Sequence, residues 1–302
     1  MTVPRKLVVL GAVLLALTGC TSGIEQLNLA IATGGPTGVY NELGNGLADA
    51  WASQTGMARP KVLETEGSPD NLRRLASGEA DIAFSAADVA IDTHGKFSAL
   101  ARIYDDYLHI VVRAESPIQT IDGLAGKRIS VGATNSGVKK IAERVLGVAG
   151  VTGQQTDLDL RRSAQALVDG QIDAFFWSGG LPTNEIRQLA RGTGIRLLDL
   201  REMLPAIRSA YGYYSAAAIP LSVYDLRNTT PVTTLVVPNL LLVTDRLSAG
   251  AAKVLTQGIF AAQQNLAKLT TAAYSIEPRS AIETLPIQLH QGAQEYYRED
   301  KP

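Results

Sequence analysis

Residues 27–51 read LNLAIATGGPTGVYNELGNGLADAW, a pattern typical of a buried strand, a glycine-rich turn and a helix in direct succession. Apolar residues alternate over 27–31 as in a strand of an α/β sheet, and they recur at helical spacing over 39–50. Glycine lets a backbone approach a ligand closely, and the free N–H groups at a helix start favour an anion. The turn at 33–38 therefore predicts either an anion-binding site or a strand-to-helix connection that binds nothing.

The composition is that of a globular protein. Of 302 residues, 46% are hydrophobic and 19% are charged, and a chain of this length forms about two domains of ordinary size. The formal net charge is -1, and no tract is dense in lysine or arginine. A nucleic-acid partner is therefore not expected.

The N-terminal segment predicts export. Two basic residues precede an apolar run at 7–17 that is too short to span a bilayer comfortably. The run ends in Leu-Thr-Gly-Cys at 17–20, which resembles a bacterial lipobox whose cysteine receives a lipid. Cys20 is the only cysteine in the chain, and its position favours lipidation over a buried thiol or a nucleophile. We expect an exported protein that a lipid anchor alone holds to the outer face of the cell membrane or to a periplasmic membrane face.

Alternating strands and helices continue after the opening stretch. Strands are predicted at 61–66 and 80–84, and the helix between them starts with Ser68 as N-cap and Pro69 at its first position. This βαβαβ order is the pattern of a mostly parallel sheet. A further strand at 108–112 ends in a charged, proline-containing segment, where we expect the chain to cross into a second domain.

The same pattern then begins again. Residues 127–132 predict a strand, 133–137 a small polar turn and 138–146 a helix. LASGEADIAF at 75–84 is matched by LVDGQIDAFF at 167–176, about ninety residues later, a spacing too long for a solenoid. Two related α/β lobes are therefore expected.

The expected fold class is α/β, with two lobes, a hinge and a ligand cleft between the lobes. The apolar run at 232–244 predicts a long strand that returns through the hinge, with Pro238 breaking its pairing or placing it at a sheet edge. An aromatic loop is expected at 211–214 and a terminal helix within 285–301. The predicted segments are a signal peptide at 1–19, a lipidated tether at 20–26, lobe 1 at 27–115 and 240–302, and lobe 2 at 116–239.

Ligands of open α/β sheets bind beyond the carboxyl ends of the strands, so residues that follow the predicted strands are candidates. Tyr40 either closes over a carboxylate held by the glycine turn or lies in the core, and Ser68 either caps its helix or also contacts the ligand. Trp177 either stacks on the ligand or packs. The candidate ligand-binding residues are Thr33, Gly35, Thr37, Gly38, Tyr40, Ser68, Ser85, Thr134, Asn135, Ser136, Gly137 and Trp177.

Several motifs recur in a defined order along the chain. They are ATGG-x-x-G-x-Y at 32–40, EGS-x-x-N at 66–71, SGEAD-x-A at 77–83, DGLAGKR-x-SVGA-x-x-SG at 122–137, DG-x-IDAFFW at 169–177, GGLPT at 179–183, and HQGA with a tyrosine pair at 290–297. Together they resemble the solute receptors of TRAP transporters, specifically the TAXI family. Two residues depart from the family pattern, since Pro36 replaces a small flexible residue and Gln291 replaces a proline.

This resemblance implies a type II periplasmic-binding-protein fold. It also implies capture of a small organic acid or amino acid, such as glutamate, glutamine or a dicarboxylate, and delivery to a TRAP-type membrane permease. An alternative is a sensing lipoprotein that presents its solute to a membrane histidine kinase. No nucleophile elbow or P-loop is present, and His94, His109 and His290 match no metal-ligand spacing, so we expect neither an enzyme nor a metal or other cofactor.

Overall fold

The computed structural model describes residues 23–36, 38–93 and 95–299. The expected signal peptide at 1–19, Cys20, Thr37 and His94 lie outside the described residues. In the described ranges the strands are β1 (Ala30–Ala32), β2 (Lys61–Leu63), β3 (Ile82–Ala86), β4 (Ser98–Arg113), β5 (Arg128–Ser130), β6 (Gln154–Thr156), β7 (Ala174–Gly179), β8 (Ile195–Leu197), β9 (Ser215–Ile219) and β10 (Val232–Val243). The helices are α1 (Val39–Thr55), α2 (Ser68–Ser77), α3 (Ala87–Asp92), α4 (Gly137–Ala149), α5 (Leu160–Val168), α6 (Asn184–Gly192), α7 (Leu204–Ala210), α8 (Ala249–Leu269), α9 (Pro278–Ala281) and α10 (Gln291–Glu299).

The described strands form one mixed sheet with the main order β2-β1-β3-β10-β4-β7-β5-β6. We call β1–β3 the first parallel unit and β5–β7 the second, because the strands within each unit pair in parallel. In each unit the first strand in sequence lies between the other two, so the two units share one topology. β10 and β4 lie between the units, and each runs antiparallel to its neighbours.

An aspartate ties the start of each parallel unit together. The Asp81 carboxylate accepts a hydrogen bond from the N–H of Ala30 at 2.8 Å, and the Asp173 carboxylate accepts one from the N–H of Arg128 at 2.9 Å. Both aspartates belong to the segments that match in sequence, and each follows a helix that ends near a left-handed glycine. The two matching sequence segments therefore belong to two copies of the same structural unit.

The long strands β4 and β10 connect the two parallel units. The sequence predicted a strand only at 108–112, whereas β4 covers 98–113, because Arg102, Asp105 and Asp106 interrupt its apolar pattern. On one edge β10 pairs with β4 from Val236 to Val243. On its other edge β10 pairs first with β9 and then with β3, so it has partners in both halves of the sheet.

Pro238 lies where β10 changes partner. It is paired with Asp105 of β4, but it has no pairing partner in β9 or in β3. Of the two alternatives predicted for Pro238, the break in pairing occurs on one edge of the strand, and the placement at a sheet edge is wrong, because β10 lies in the middle of the sheet. A proline lacks an N–H, and it is tolerated here because one edge of the strand has no ladder partner at that residue.

Other elements differ from the sequence-based expectations. Ile24 lies in a 3-10 turn and is 5% exposed, so the folded body begins within the segment expected as a tether. The terminal helix covers Gln291–Glu299, which lies within its expected range of 285–301 but is shorter than that range. Helix α7 and strand β9 flank the predicted aromatic loop, and neither was predicted, because they are short and lack a clear apolar period.

Helices pack on both faces of the sheet. On one face α1, α8 and α10 contribute to one apolar cluster, in which Trp51 of α1 is fully buried and donates its indole N–H to the carbonyl of Leu255 at 3.1 Å. On the other face one apolar cluster joins Leu72 of α2, Val89 of α3 and Ile141 of α4, so the two parallel units share a packed core. None of the described helices is both long and apolar enough to cross a bilayer.

We predict that Gly292→Ala destabilises the protein. An added Cβ would lie 1.9 Å from the carbonyl oxygen of Ala249, so α10 would have to move away from α8. Overpacking of this kind costs about 1–3 kcal/mol. Gly147→Ala is the matched control, because a Cβ at that helical position meets no atom within 4 Å. Urea unfolding should show a lower midpoint for the first variant only, and equal midpoints would contradict the close packing of α10 on α8.

Candidate functional site

The backbone of the glycine turn before α1 closes on itself. The N–H of Gly38 donates to the carbonyl of Gly35 at 2.9 Å, and Gly35 is exposed. Thr33 is fully buried, and its hydroxyl donates to the carbonyl of Leu63 at 2.8 Å. Gly38 and Thr33 thus have internal hydrogen-bond partners, and the carboxylate-binding role expected of this turn stays a prediction.

Tyr40 extends from the first turn of α1 toward the sheet. Its ring stacks on Phe84 at a centroid distance of 5.1 Å, and Tyr104 lies edge-on at 6.1 Å. Its hydroxyl donates to Asn239 Oδ1 and lies 3.3 Å from Ser68 Oγ. The Tyr40 ring therefore packs against the core, its hydroxyl reaches a polar cluster, and its closing over a carboxylate stays a prediction.

Ser68 connects α2 to β3 and α4. The prediction that Ser68 is the N-cap is wrong, because Gly67 takes that position with φ 112° and its carbonyl accepts the N–H of Asn71 at 2.9 Å. The Ser68 hydroxyl instead accepts the N–H of Ala86 at 3.0 Å. A Cβ built on Gly137 would lie 3.7 Å from Ser68 Oγ, so α4 begins in contact with α2.

The turn before α4 links the two parallel units at the surface. Ser136 caps α4 by accepting the N–H of Lys139 at 3.2 Å. The Asn135 side-chain amide donates to Glu66 Oε2 at 2.6 Å, and Thr134 is exposed. Of the predicted residues in this turn, Gly137 lies deepest toward Ser68, and Asn135 bridges the units at the rim.

Ser85 and Trp177 make local contacts. The Ser85 hydroxyl is buried and donates to the carbonyl of Ala86 at 3.0 Å. The Trp177 indole N–H donates to the Thr183 hydroxyl at 3.1 Å, and its ring lies against Gly179. For Trp177 the structure shows packing on its own strand and on the turn that follows.

An open polar depression of about 550 Å³ lies beside the glycine turn. Gly35 borders it from the first parallel unit, and Asn135 borders it from the second. The rest of its wall consists of Pro36, Glu64, Thr65, Glu66, Asp70, Arg73 and Arg74. This depression is the exposed rim of the region where the two units meet.

Sequence patterns missed two polar residues at the strand crossing. Asp106 of β4 is 8% exposed, and Asn239 of β10 is fully buried. Among the described residues, neither Asp106 Oδ1 nor Asn239 Nδ2 completes a hydrogen bond of normal geometry. Burial raises the pKa of Asp106 to about 7, against the opposing effect of the nearby Asn239 and Tyr104 side chains. The sequence signal is a pair of acids, 105–106, within an otherwise apolar stretch.

A buried ion pair holds α3 against α4, and it was also missed. Asp88 accepts hydrogen bonds from Arg144 Nη1 at 2.8 Å and from the Tyr214 hydroxyl at 2.8 Å. The guanidinium lies 5.1 Å from the ring centroid of Tyr211 and 5.5 Å from that of Tyr213. The aromatic segment expected as a loop therefore forms the wall of a charged contact between the two parallel units.

The described histidines have structural partners. His109 is fully buried, its Nε2 lies 3.0 Å from the Tyr224 hydroxyl, and burial lowers its pKa to about 4. His290 Nδ1 accepts the N–H of Gly292 at 3.2 Å. Across the described ranges, no group of three or more His, Cys, Asp or Glu side chains is arranged to hold a metal ion.

We predict that Arg144→Met destabilises the protein by about 3–5 kcal/mol, because it leaves the buried Asp88 carboxylate without its cation. Asp88→Asn in the same background should recover part of this loss. Arg128→Met is the control, since its ion pair with Asp173 is solvent-exposed and should contribute little. Urea unfolding of the three variants provides the measurement. If Arg144→Met lowers the unfolding free energy as little as Arg128→Met does, the Asp88 carboxylate is not left buried and uncompensated in the first variant.

We predict that ionisation of Asp106 destabilises the unliganded protein progressively as the pH rises from about 4 to about 7, against the opposite contribution of His109, whose lowered pKa adds stability over most of this window. The folded pKa of Asp106 lies above its unfolded value, so the folded state binds the extra proton in this window, and its stabilising effect is lost as the proton leaves. The slope due to one such group reaches about 1.4 kcal/mol per pH unit. Relative to the wild type, Asp106→Asn should gain unfolding free energy as the pH rises through this window, and a constant difference between the two proteins would show that Asp106 does not titrate there.

Solved solute-binding proteins share this architecture. The periplasmic aliphatic sulphonate binding protein SsuA from Escherichia coli superposes with a TM-score of 0.51 and 15% identity, over 91% of this chain and 84% of that one. The GluR0 ligand-binding core from Nostoc punctiforme, in complex with L-glutamate, gives 0.51 and 15%, over 80% and 96% of the two chains. A putative L-cystine ABC transporter protein from Listeria monocytogenes gives 0.53 and 12%, over 80% and 93%.

These similarities establish the fold. The mixed sheet with two antiparallel strands between two parallel units is the type II fold of periplasmic solute-binding proteins, which confirms the expected fold class. The narrower resemblance to TAXI receptors of TRAP transporters stays a prediction. Over residues 31–300 the sequence matches the NMT1-like family, and the chain belongs to that family.

Proposed function

We propose that this protein is an extracytoplasmic solute-binding protein that encloses a small carboxylate-bearing solute between two lobes and delivers it to a membrane transporter. The observation that carries this proposal is the meeting of three helix starts. Tyr40 lies in the first turn of α1, Ser68 begins α2 and Gly137 begins α4. Ser68 Oγ lies 3.3 Å from the Tyr40 hydroxyl and 3.7 Å from the position of a Cβ built on Gly137, so Ser68 is the neighbour of both. The helices come from both parallel units, so a solute at this point would be held from both sides.

The electrostatics of this meeting point favour an anionic group. The N-terminal end of each helix carries a partial positive charge and backbone N–H groups without an acceptor in the preceding turn. The hydroxyls of Tyr40 and Ser68 add neutral hydrogen-bonding groups at the same place. In this proposal Tyr40, Ser68 and Gly137 contact the solute directly, while Gly35 and Asn135 line its route of entry.

The two strands at the crossing provide the hinge. β4 and β10 are the strands that run from one parallel unit to the other, and we assign lobe 1 to 27–115 with 240–302 and lobe 2 to 116–239. Small changes in the twist of these strands would open and close the contact between Ser68 and Gly137. This is the hinge mechanism by which two-lobed proteins enclose a solute.

The proposed partner is a TRAP-type permease, to which the protein would be tethered through a lipid on Cys20. The sequence motifs that resemble TAXI receptors support this partner, and the lipobox-like segment supports the location. A binding role without catalysis accords with the solute-binding folds of the similar structures. Deletion of the chain should reduce cellular uptake of the bound solute if the permease assignment holds.

A binding screen tests the central proposal. Protein purified without denaturation is examined by native mass spectrometry for a trapped solute and by thermal shift against organic acids, sulphonates, amino acids and amines. We expect saturable binding of at least one small solute without its chemical conversion. Absence of both a trapped solute and any thermal shift would end the proposal, and turnover of a bound solute would replace it with an enzyme.

We predict that Gly38→Asp weakens solute binding by at least about tenfold, because a carboxylate at the N-cap of α1 offsets the positive charge at one of the three helix starts that the proposal uses. Gly38→Ala is the matched control. Gly38 has φ -89° and ψ 152°, which other residues adopt, and an added Cβ lies 3.2 Å from the carbonyl oxygen of Gly35 in both variants. Calorimetric titration should separate the two. Equal affinity in both variants would move the anion site away from the glycine turn.

A further inference from the structure

Carboxylates near the strand crossing differ in their positively charged partners. Asp88 is paired with Arg144 at 2.8 Å, and Asp105 is paired with Arg102 at 2.8 Å. Asp106 makes no ion pair with any described residue, although it is 8% exposed, and its charged neighbours are Asp105 and Asp88. An ionised carboxylate in such a place is costly unless a cation accompanies it.

The hydrogen bonds around Asp106 are also incomplete. Tyr104 and Asn239 approach it, but Asp106 Oδ1 and Asn239 Nδ2 both lack a bond of normal geometry among the described residues. The Tyr40 hydroxyl donates to Asn239 Oδ1, and that contact orients the amide. The crossing therefore holds a deeply buried carboxylate with one oxygen, Asp106 Oδ1, that accepts no hydrogen bond of normal geometry from a described residue.

The crossing lies next to the proposed anion site. The Tyr40 hydroxyl touches Asn239 and lies 3.3 Å from Ser68 Oγ, so one hydroxyl separates the crossing from the helix starts. A solute that carried a cation and an anion on the same carbon would reach both places at once. Its N–H groups would donate to Asp106 Oδ1, and its positive charge would offset the burial of the carboxylate.

We propose that Asp106 binds the protonated amine of the solute, so that the ligand is an amino acid and not a simple organic acid. This inference rests on the proposed solute-binding function and narrows its ligand class. The ammonium group donates to Asp106, and the carboxylate of the same molecule lies toward Ser68 and Gly137. The other residues of the cleft then recognise the side chain of the solute.

A solute whose carboxylate or carbonyl, and not its ammonium group, lies at Asp106 would show the opposite pH dependence of binding affinity. A protonated Asp106 would donate to a carboxylate or carbonyl of the solute, and affinity would then rise as the pH falls. With an ammonium ligand, affinity should fall by up to about tenfold per pH unit below the pKa of Asp106. The titratable and charged groups that face Asp106 are Tyr40 of α1, Tyr104 and Asp105 of β4, and Asp88 of α3 with its partner Arg144.

Matched pairs of probes test the inference by calorimetric titration between pH 5.5 and 8, a range of about one to two units around neutral. The pairs are L-glutamate with glutarate and L-leucine with 4-methylpentanoate, where the second member of each pair lacks only the amine. At least one amino acid should bind at least about tenfold more tightly than its deaminated partner, and Asp106→Asn should remove that difference. Asp105→Asn is the matched control, because it makes the same change one residue away in an acid that already has Arg102 as partner.

Each remaining outcome is decisive. Equal or tighter binding of the deaminated acid, unchanged affinity in folded Asp106→Asn, or affinity that rises as the pH falls would overturn the inference and leave solute binding intact. Binding in the wider screen of acids and sulphonates alone, with none of the amines bound, would do the same. Absence of binding to every probe, in this titration and in that screen, would instead remove the proposed function on which the inference rests.

Discussion

The antiparallel pairing of β4 with β10 is the interaction on which the rest of the structure depends. It runs from Ser98 opposite Val243 to Tyr107 opposite Val236, and it places the first parallel unit on one side and the second on the other. Since both strands continue through both halves of the sheet, the two units cannot separate without deforming the same ladder. Any motion between them is therefore a bend or twist of two strands, and the helix starts of α1, α2 and α4 stay at the edge that such a motion opens.

The same pairing explains why polar groups lie inside an apolar sheet. Strands that pass through the middle of a molecule are normally continuous runs of apolar residues. Here Asp106 and Asn239 interrupt β4 and β10 close to Pro238, where β10 changes partner and the register with β4 shifts. A polar group in such a position lowers stability unless it is paired, and proteins keep such residues mainly where they bind something. Asp88 shows the compensated case, because Arg144 and Tyr214 saturate its carboxylate.

Local sequence patterns predicted a large part of the fold because the repeated units are built from short-range signals. The Gly-x-x-Asp entries to β3 and β7 show this, since Asp81 and Asp173 make equivalent bonds to the N–H groups that start β1 and β5. The first half of β4 was missed, because charged residues in a strand resemble a surface loop when no partner strand is known. Ser68 was predicted as the N-cap of α2, one residue after the actual N-cap Gly67, for a similar reason. Its hydroxyl satisfies the N–H of Ala86, a residue far along the chain, instead of its own helix.

The amino-acid sequence was sufficient to establish the α/β class, the two related units and the candidate residues at the ends of their strands, because periodicity and turn chemistry act over a few residues. It could not show that Ser68 is the neighbour of both Tyr40 and Gly137, or that Asp106 is buried without a cation while Asp105 and Asp88 each have an arginine. Those facts depend on which strands pair and in which register. The burial and charge balance of a side chain come from residues distant in sequence, and only folding brings these residues together.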